Sequence, residues 1–194
     1  PLFILFFAWQ FIMGFLINGR RFAGLSAIMN YPGRVVTDFL MLEGLGPTLM
    51  NMALGGIASI LYLLLIGGDI NGPTLAGVFT VVGFSAFGKH LRNMAPIVAG
   101  VVLGGLTKIW GLSDPPIQLA ALFATTLAPV AGEFGIFWGI VAGFLHSSLV
   151  LNVGALHGGF NLYNNGFSGG AVAAVLVPVI EALRSGRESH DSRT

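Results

Sequence analysis

The chain has 194 residues, of which 55% are hydrophobic and 9% charged, and its net charge is +1. A soluble domain carries about 25% charged residues, so the composition excludes an ordinary water-soluble globule, and a near-neutral chain offers no basic face for nucleic acid. Cysteine is absent, which excludes a disulfide, a thiolate metal site and a cysteine nucleophile.

Between Asp38 and Glu181 the only charged residues are Glu43, Asp69, Lys89, Arg92, Lys108, Asp114 and Glu133. This is the composition of an integral membrane protein. The first residue is Pro1, and it opens straight into an apolar run. No basic residue precedes that run and no small-x-small cleavage site follows it, so it does not read as a signal peptide. A start on proline is read as a piece of something longer.

A membrane span takes about 20 apolar residues. On that measure seven segments stand out: 2–18, 44–66, 72–88, 93–112, 116–131, 134–156 and 167–184. Segment 19–43, amphipathic and basic at its start, is expected on the membrane surface or as a re-entrant piece. Segments 72–88 and 116–131 are short for full crossings. Short segments interrupted by glycine and proline are the sequence pointer to broken helices around a transport site. Gly100-Val101-Val102-Leu103-Gly104 and Gly139-Ile140-Val141-Ala142-Gly143 fit the small-xxx-small pattern of close helix contact. Each match alone has low specificity, because 29 glycines produce such spacings by chance.

Basic residues orient membrane helices toward the cytoplasm. Alternating the seven segments puts Arg20, Arg21, Arg34, Lys89, Arg92, Arg184, Arg187 and Arg193 on one side, leaving Lys108 to snorkel from a helix end. That side is expected to be cytoplasmic, in a bacterial cytoplasmic membrane. Residues 1–184 are expected to form the membrane domain, and 185–194 a polar, disordered tail.

The most informative string is His157-Gly158-Gly159-Phe160-Asn161-Leu162-Tyr163-Asn164-Asn165-Gly166-Phe167-Ser168-Gly169-Gly170. Unpaired polar groups in hydrocarbon cost several kcal/mol each, roughly. Irregular polar backbone at membrane depth is tolerated where it packs in protein or lines a watery cavity. His157, Asn161, Tyr163, Asn164, Asn165 and Ser168 are therefore candidate solute-binding or pore-lining residues. Read more plainly, asparagine and glycine there satisfy turn geometry and a helix start.

Five further positions join the list. Pro129 removes an intrahelical hydrogen bond and is expected to free the Thr125 carbonyl beside the Thr125 and Thr126 hydroxyls. Glu133, between Gly132 and Gly135, is a proton carrier if buried and a solvated turn residue if exposed. His146 is an ionisable residue inside an apolar segment, a functional-site hypothesis by default. Asn51 stands near the start of the second segment, where helix N-termini attract anions or carbonyl oxygens. Asn93 reads as a cap, and Lys89 and Arg92 read as orientation signals.

Together with Gly72-Pro73-Thr74, Gly83-Phe84-Ser85-Ala86-Phe87-Gly88-Lys89-His90 and Ala128-Pro129-Val130-Ala131-Gly132-Glu133-Phe134-Gly135, the long polar string carries a family resemblance. The sequence resembles a family of bacterial multi-pass membrane proteins catalogued as domain of unknown function 1576, over roughly 31–183. The resemblance implies a protein about twice this length with two related halves, this chain being similar to the second. It lends no substrate, mechanism or site residue, and its two-half plan suggests a repeat-built transporter.

Enzyme motifs fail on context. Gly166-Phe167-Ser168-Gly169-Gly170 matches G-x-S-x-G, yet no strand precedes it. The only histidine after Ser168 is His190, in the polar tail. No H-E-x-x-H and no carboxylate cluster for a metal is present.

The expected fold is all-α: a polytopic membrane bundle of about five to seven spanning helices with broken or re-entrant pieces. The expected function is a channel or secondary transporter for a small polar solute or ion, with an uncharged or weakly charged solute favoured. The alternatives are a non-catalytic subunit of a membrane complex and an intramembrane hydrolase using Ser168. No cofactor or metal is expected. The expected partners are the lipid bilayer, the solute, and either further copies of the chain or a second repeat.

Overall fold

The computed structural model describes residues 2–34, 37–158 and 163–191, with the backbone alone at 157 and 187–191. Among the described residues ten α-helices follow one another: α1 Leu2–Ile17, α2 Ala23–Ile28, α3 Phe39–Glu43, α4 Leu45–Leu65, α5 Gly72–Phe84, α6 Leu91–Thr107, α7 Pro115–Ala124, α8 Ala128–Phe134, α9 Ile136–Val150 and α10 Asn164–Asp191. Short 3₁₀ turns at Thr125–Leu127 and Val153–His157 join α7 to α8 and follow α9. No strand occurs among the described residues. The all-α expectation holds.

Local chemistry sets the boundaries. Asp38 accepts from the backbone N–H groups of Leu40 and Met41, at 2.9 and 3.2 Å, and starts α3. Asn71 and Thr74 exchange side-chain-to-backbone hydrogen bonds that close a capping box on α5, with Pro73 in its first turn. Pro115 and Pro116 open α7, where a missing N–H costs nothing.

Apolar helices stand at the seven places the hydropathy marks, and three are long enough to cross a membrane: Leu45–Leu65, Pro115–Phe134 and Asn164–Gly186. Leu2–Ile17, Gly72–Phe84, Leu91–Thr107 and Ile136–Val150 are apolar but shorter. Segment 116–131 is thus not a short, broken piece. α7, the 3₁₀ turn and α8 run on as one 20-residue element. Pro129 falls in the first turn of α8, and the 3₁₀ turn before it supplies the missing bond: the Ala128 N–H donates to the Thr125 carbonyl, so that carbonyl is not freed. Toward the C-terminal end, α10 runs on to Asp191, into the stretch read as a tail, and Ser185 donates to the Glu181 carbonyl at 3.0 Å.

Two apolar clusters hold the bundle. Phe7, Ile60, Leu63, Val78, Met94 and Leu122 form one, tying α1, α4 and α5 to the flank of α6 and α7. Ile97, Val101, Ile117, Leu127, Val172 and Ile180 form the other, joining α6, α7 and α10. The 115–134 element contributes to both and is the most enclosed of the three long spans, 61% buried. α10 is peripheral, 28% buried over its apolar window. Many large apolar side chains, among them Leu65, Ile109 and Val175, remain exposed on the chain alone.

The seam between α6 and α9 is the tightest. A β-carbon at Gly143 would fall on the Ile97 carbonyl, and one at Gly100 on the Ile140 carbonyl. Gly139 sits on Ala131 and Pro96, with hypothetical β-carbon distances of 2.6 and 2.8 Å. Both small-xxx-small strings therefore face each other, and backbone meets backbone. Polar groups gather at the bundle ends. Arg34 pairs with Glu133 at 2.7 Å, Arg92 donates to the Asn30 side chain at 2.8 Å, and Arg184 reaches the Phe134 carbonyl at 3.5 Å. Toward the far end of the 115–134 element, about 22 Å from Glu133 by helix rise, Gln118 accepts from the Asp69 N–H and donates to the Ser113 carbonyl.

Candidate functional site

The site is built around residues 85–90, the connection from α5 to α6. Gly88 lies at φ +81° and Gly33 at +79°, a region that residues with a β-carbon rarely adopt. The two pack against each other, so that a β-carbon on Gly88 would lie 2.7 Å from the Gly33 carbonyl oxygen. The Asn93 side chain accepts from the His90 N–H at 3.0 Å and donates to the Gly88 carbonyl at 2.8 Å. From α4, Asn51 Nδ2 donates to the Ser85 carbonyl at 2.6 Å and the Lys89 carbonyl at 2.8 Å. The His90 ring donates through Nε2 to the Tyr31 carbonyl at 2.9 Å, and the Phe39 N–H donates to the Ala86 carbonyl at 3.1 Å. Contacts from three distant parts of the chain thus fix this turn, and with it the direction of Lys89.

Lys89 points inward. Its residue is 7% exposed, its Nζ donates to Thr125 Oγ1 at 2.9 Å, and it lies 4.8 Å from the centre of the Phe84 ring. Thr125 in turn donates to the Leu122 carbonyl at 2.7 Å, leaving its oxygen aimed at the ammonium. No carboxylate pairs with Lys89 among the described residues, where the one ion pair is Arg34–Glu133. Burial pushes the Lys89 ammonium down to about 8, since desolvation penalises the charged form. The same cause lowers His90.

Lys89 lines a groove of about 820 Å³. One wall is Thr80 and Phe84 of α5; the floor is Pro115, Pro116, Leu119, Phe123 and Thr126 along the 115–134 element. Val150 and Leu151, at the end of α9, and Tyr163, Asn164, Asn165 and Gly166, at the start of α10, close it. The floor runs about 16 Å from Pro115 to Thr126 by helix rise. α10 lies close over its inner end: a β-carbon on Gly169 would stand 2.7 Å from the Thr126 methyl.

The expected site residues fall into three sets. Thr126, Tyr163, Asn164 and Asn165 line the groove. Thr125 and His146 stand immediately behind it: Thr125 receives Lys89, and His146, fully buried, meets Asn165 Oδ1 through Nε2 at 3.3 Å. Asn51, Glu133 and Ser168 are elsewhere. Asn51 is 1% exposed and serves the turn backbone. Glu133 is half-buried in its ion pair with Arg34 at the bundle end. Ser168 is fully buried and its hydroxyl has no hydrogen-bond partner among the described residues, so it is not paired with His146. Asn161 and the His157 side chain lie outside the described residues.

Lys89 is the residue that sequence reasoning missed. Its position between glycine and histidine in a connection matches any orientation signal. Its inward course depends on Asn51, 38 residues away, and on Gly33. Lys108 also turns inward, but onto acceptors: the Phe144 carbonyl at 3.2 Å, Ser147 Oγ at 2.9 Å and Ser148 Oγ, with the Phe144 ring 4.0 Å away. No group of three metal-ligating His, Cys, Asp or Glu side chains occurs among the described residues.

No curated protein and no solved structure matches the chain. The family described as "Protein of unknown function (DUF1576)" matches residues 17–182, which takes in the pinned turn, the whole groove and both glycine strings. The chain belongs to that family.

Proposed function

We propose that the chain forms the solute path of a membrane channel or secondary transporter for a small polar solute or ion. The observation that carries this reading is the groove, where an apolar aromatic floor meets a few convergent polar groups, Thr126, Tyr163, Asn164, Asn165 and one buried ammonium. Binding sites for small molecules have this make-up. Its position supports the same reading: it runs from the N-terminal end to the middle of the most enclosed spanning helix and under the N-terminus of another. The polar string that had no other role, 163–166, supplies its rim.

The experiment is flux into proteoliposomes across a panel of small solutes, comparing the wild type with Asn165→Ala and Thr126→Val. Selective flux reduced about tenfold or more by both variants, with unchanged thermal unfolding, supports the path. Absence of flux above empty liposomes sinks it. A second reading, a non-catalytic subunit, draws on the outer face of α10, where Val175, Val179 and Leu183 are exposed; co-purification of a stoichiometric partner along that face favours it.

A further inference from the structure

Most of the buried polar groups in this bundle are matched. Half-buried Lys108 has three oxygen acceptors, Asn93 satisfies both ends of its amide, and Gln118 joins two loops. Lys89 is different. It is a full charge, 7% exposed, with one hydroxyl and one ring for company, and among the described residues no carboxylate lines the groove it faces. An uncompensated buried charge costs several kcal/mol, roughly, unless an opposite charge restores the balance. A second positive field enters from the start of α10, whose first residues line the same groove and whose dipole presents its positive end there.

The remaining walls are not those of a bare-ion site. Phe84, Leu119, Phe123, Pro115 and Pro116 offer apolar surface, and about 820 Å³ is far more than a halide occupies. One compensating charge, one apolar slot and a polar rim describe a ligand with a single negative head and an apolar body. We propose that the groove binds a small organic monoanion, its singly charged oxyanion head at Lys89 and its body along Phe123 and the Pro115–Pro116 step. This rests on reading the groove as the solute path and names the class of solute. The head-group chemistry is shared by a free carboxylate and by the phosphodiester of an anionic lipid.

The test is equilibrium dialysis of radiolabelled benzoate and its neutral isostere benzamide against the protein in phosphatidylcholine nanodiscs at pH 7. Benzoate is expected to bind saturably and at least tenfold tighter than benzamide. Lys89→Met should remove that preference and Lys89→Arg should keep it. Equal binding of the two probes, or a preference that survives in Lys89→Met, overturns the proposal. If Lys89→Met does not fold, the wild-type ratio alone decides. Repeating the titration with phosphatidylglycerol in the disc separates the two sources: competition assigns the head site to lipid phosphodiester, and unchanged benzoate affinity assigns it to a soluble anion. Benzoate preference without solute flux would sink the path and leave the site. Flux of neutral solutes, untouched by Lys89→Met and with no benzoate preference, would sink the site and leave the path.

Discussion

The α6–α9 seam and the α5–α7–α10 groove are built from the same materials, glycine, small polar side chains and one inward lysine, and they end in opposite states. At the seam, glycines on both helices let the backbones touch, and Lys108 spans the gap from α6 onto the Phe144 carbonyl and the Ser147 hydroxyl of α9. At the groove, the aromatic and proline residues Phe84, Phe123, Pro115 and Pro116 line open space between the helices, and Lys89 finds one hydroxyl. Which backbones can approach decides whether an inward-turned charge becomes a structural tie or a site.

That contrast can be broken most directly at Gly143. A methyl there meets the Ile97 carbonyl, a backbone group that cannot swing away, so Gly143→Ala should destabilise by about 3 kcal/mol, at the upper end of overpacking costs. Thermal unfolding in detergent checks it, and a loss below about 1 kcal/mol would mean the seam is looser than its geometry.

The same substitution at the two lysines should then act in opposite directions. Lys108→Met loses charge-assisted hydrogen bonds and should lower stability by about 2 kcal/mol. Lys89→Met removes a poorly compensated charge and should raise it by about 1 kcal/mol, since an apolar isostere is often the better occupant of such a place. Chemical unfolding of the two variants side by side reads this; a loss at both would erase the distinction.

The pH dependence sharpens it further. Lys89 has its folded value near 8, below the 10.5 of an unburied lysine, so the unfolded chain binds the proton more strongly. Its unfavourable contribution is therefore largest below pH 8 and fades as pH rises toward 10.5. The gap in unfolding midpoint between wild type and Lys89→Met should narrow across that window. Tyr163 is the other ionisable group lining the groove; Phe84, Thr125 and Thr126 bring no charge, and His146 stands behind Asn165. A gap constant with pH would mean that Lys89 does not titrate there.

The smallest effect belongs at the bundle end. Arg34 is 66% exposed and its partner Glu133 31%, so Glu133→Gln should change stability by no more than about 0.5 kcal/mol, as surface ion pairs do. A loss above about 2 kcal/mol would show the pair to be structural rather than a solvated contact.

Much of the fold was legible because lipid-compatible helices announce themselves by length and hydropathy. The starts of α4 and α7 fall within a residue of the expected 44 and 116. The glycine strings were legible as candidates, and the tertiary structure turned them into a single seam. Thr126, Tyr163, Asn164 and Asn165 were legible as polar groups out of place in an apolar chain, and they meet in one groove. Pro129 frees no carbonyl, because the chain tightens into a 3₁₀ turn and the Ala128 N–H takes the Thr125 carbonyl that the proline leaves over.

By itself, then, the sequence determined the all-α class, the sites of the apolar helices and the presence of a polar segment that hydrocarbon would not tolerate, because those follow from local composition and period. Only the tertiary structure decided that Asn51 is a strut, that Glu133 is an end clasp and that Lys89 is the charge in the groove. Those roles depend on where a side chain points after Gly33, Asn51 and Asn93 have fixed the 85–90 turn. Contacts across 38 and more residues leave no trace in hydropathy, because they are set by which backbones meet.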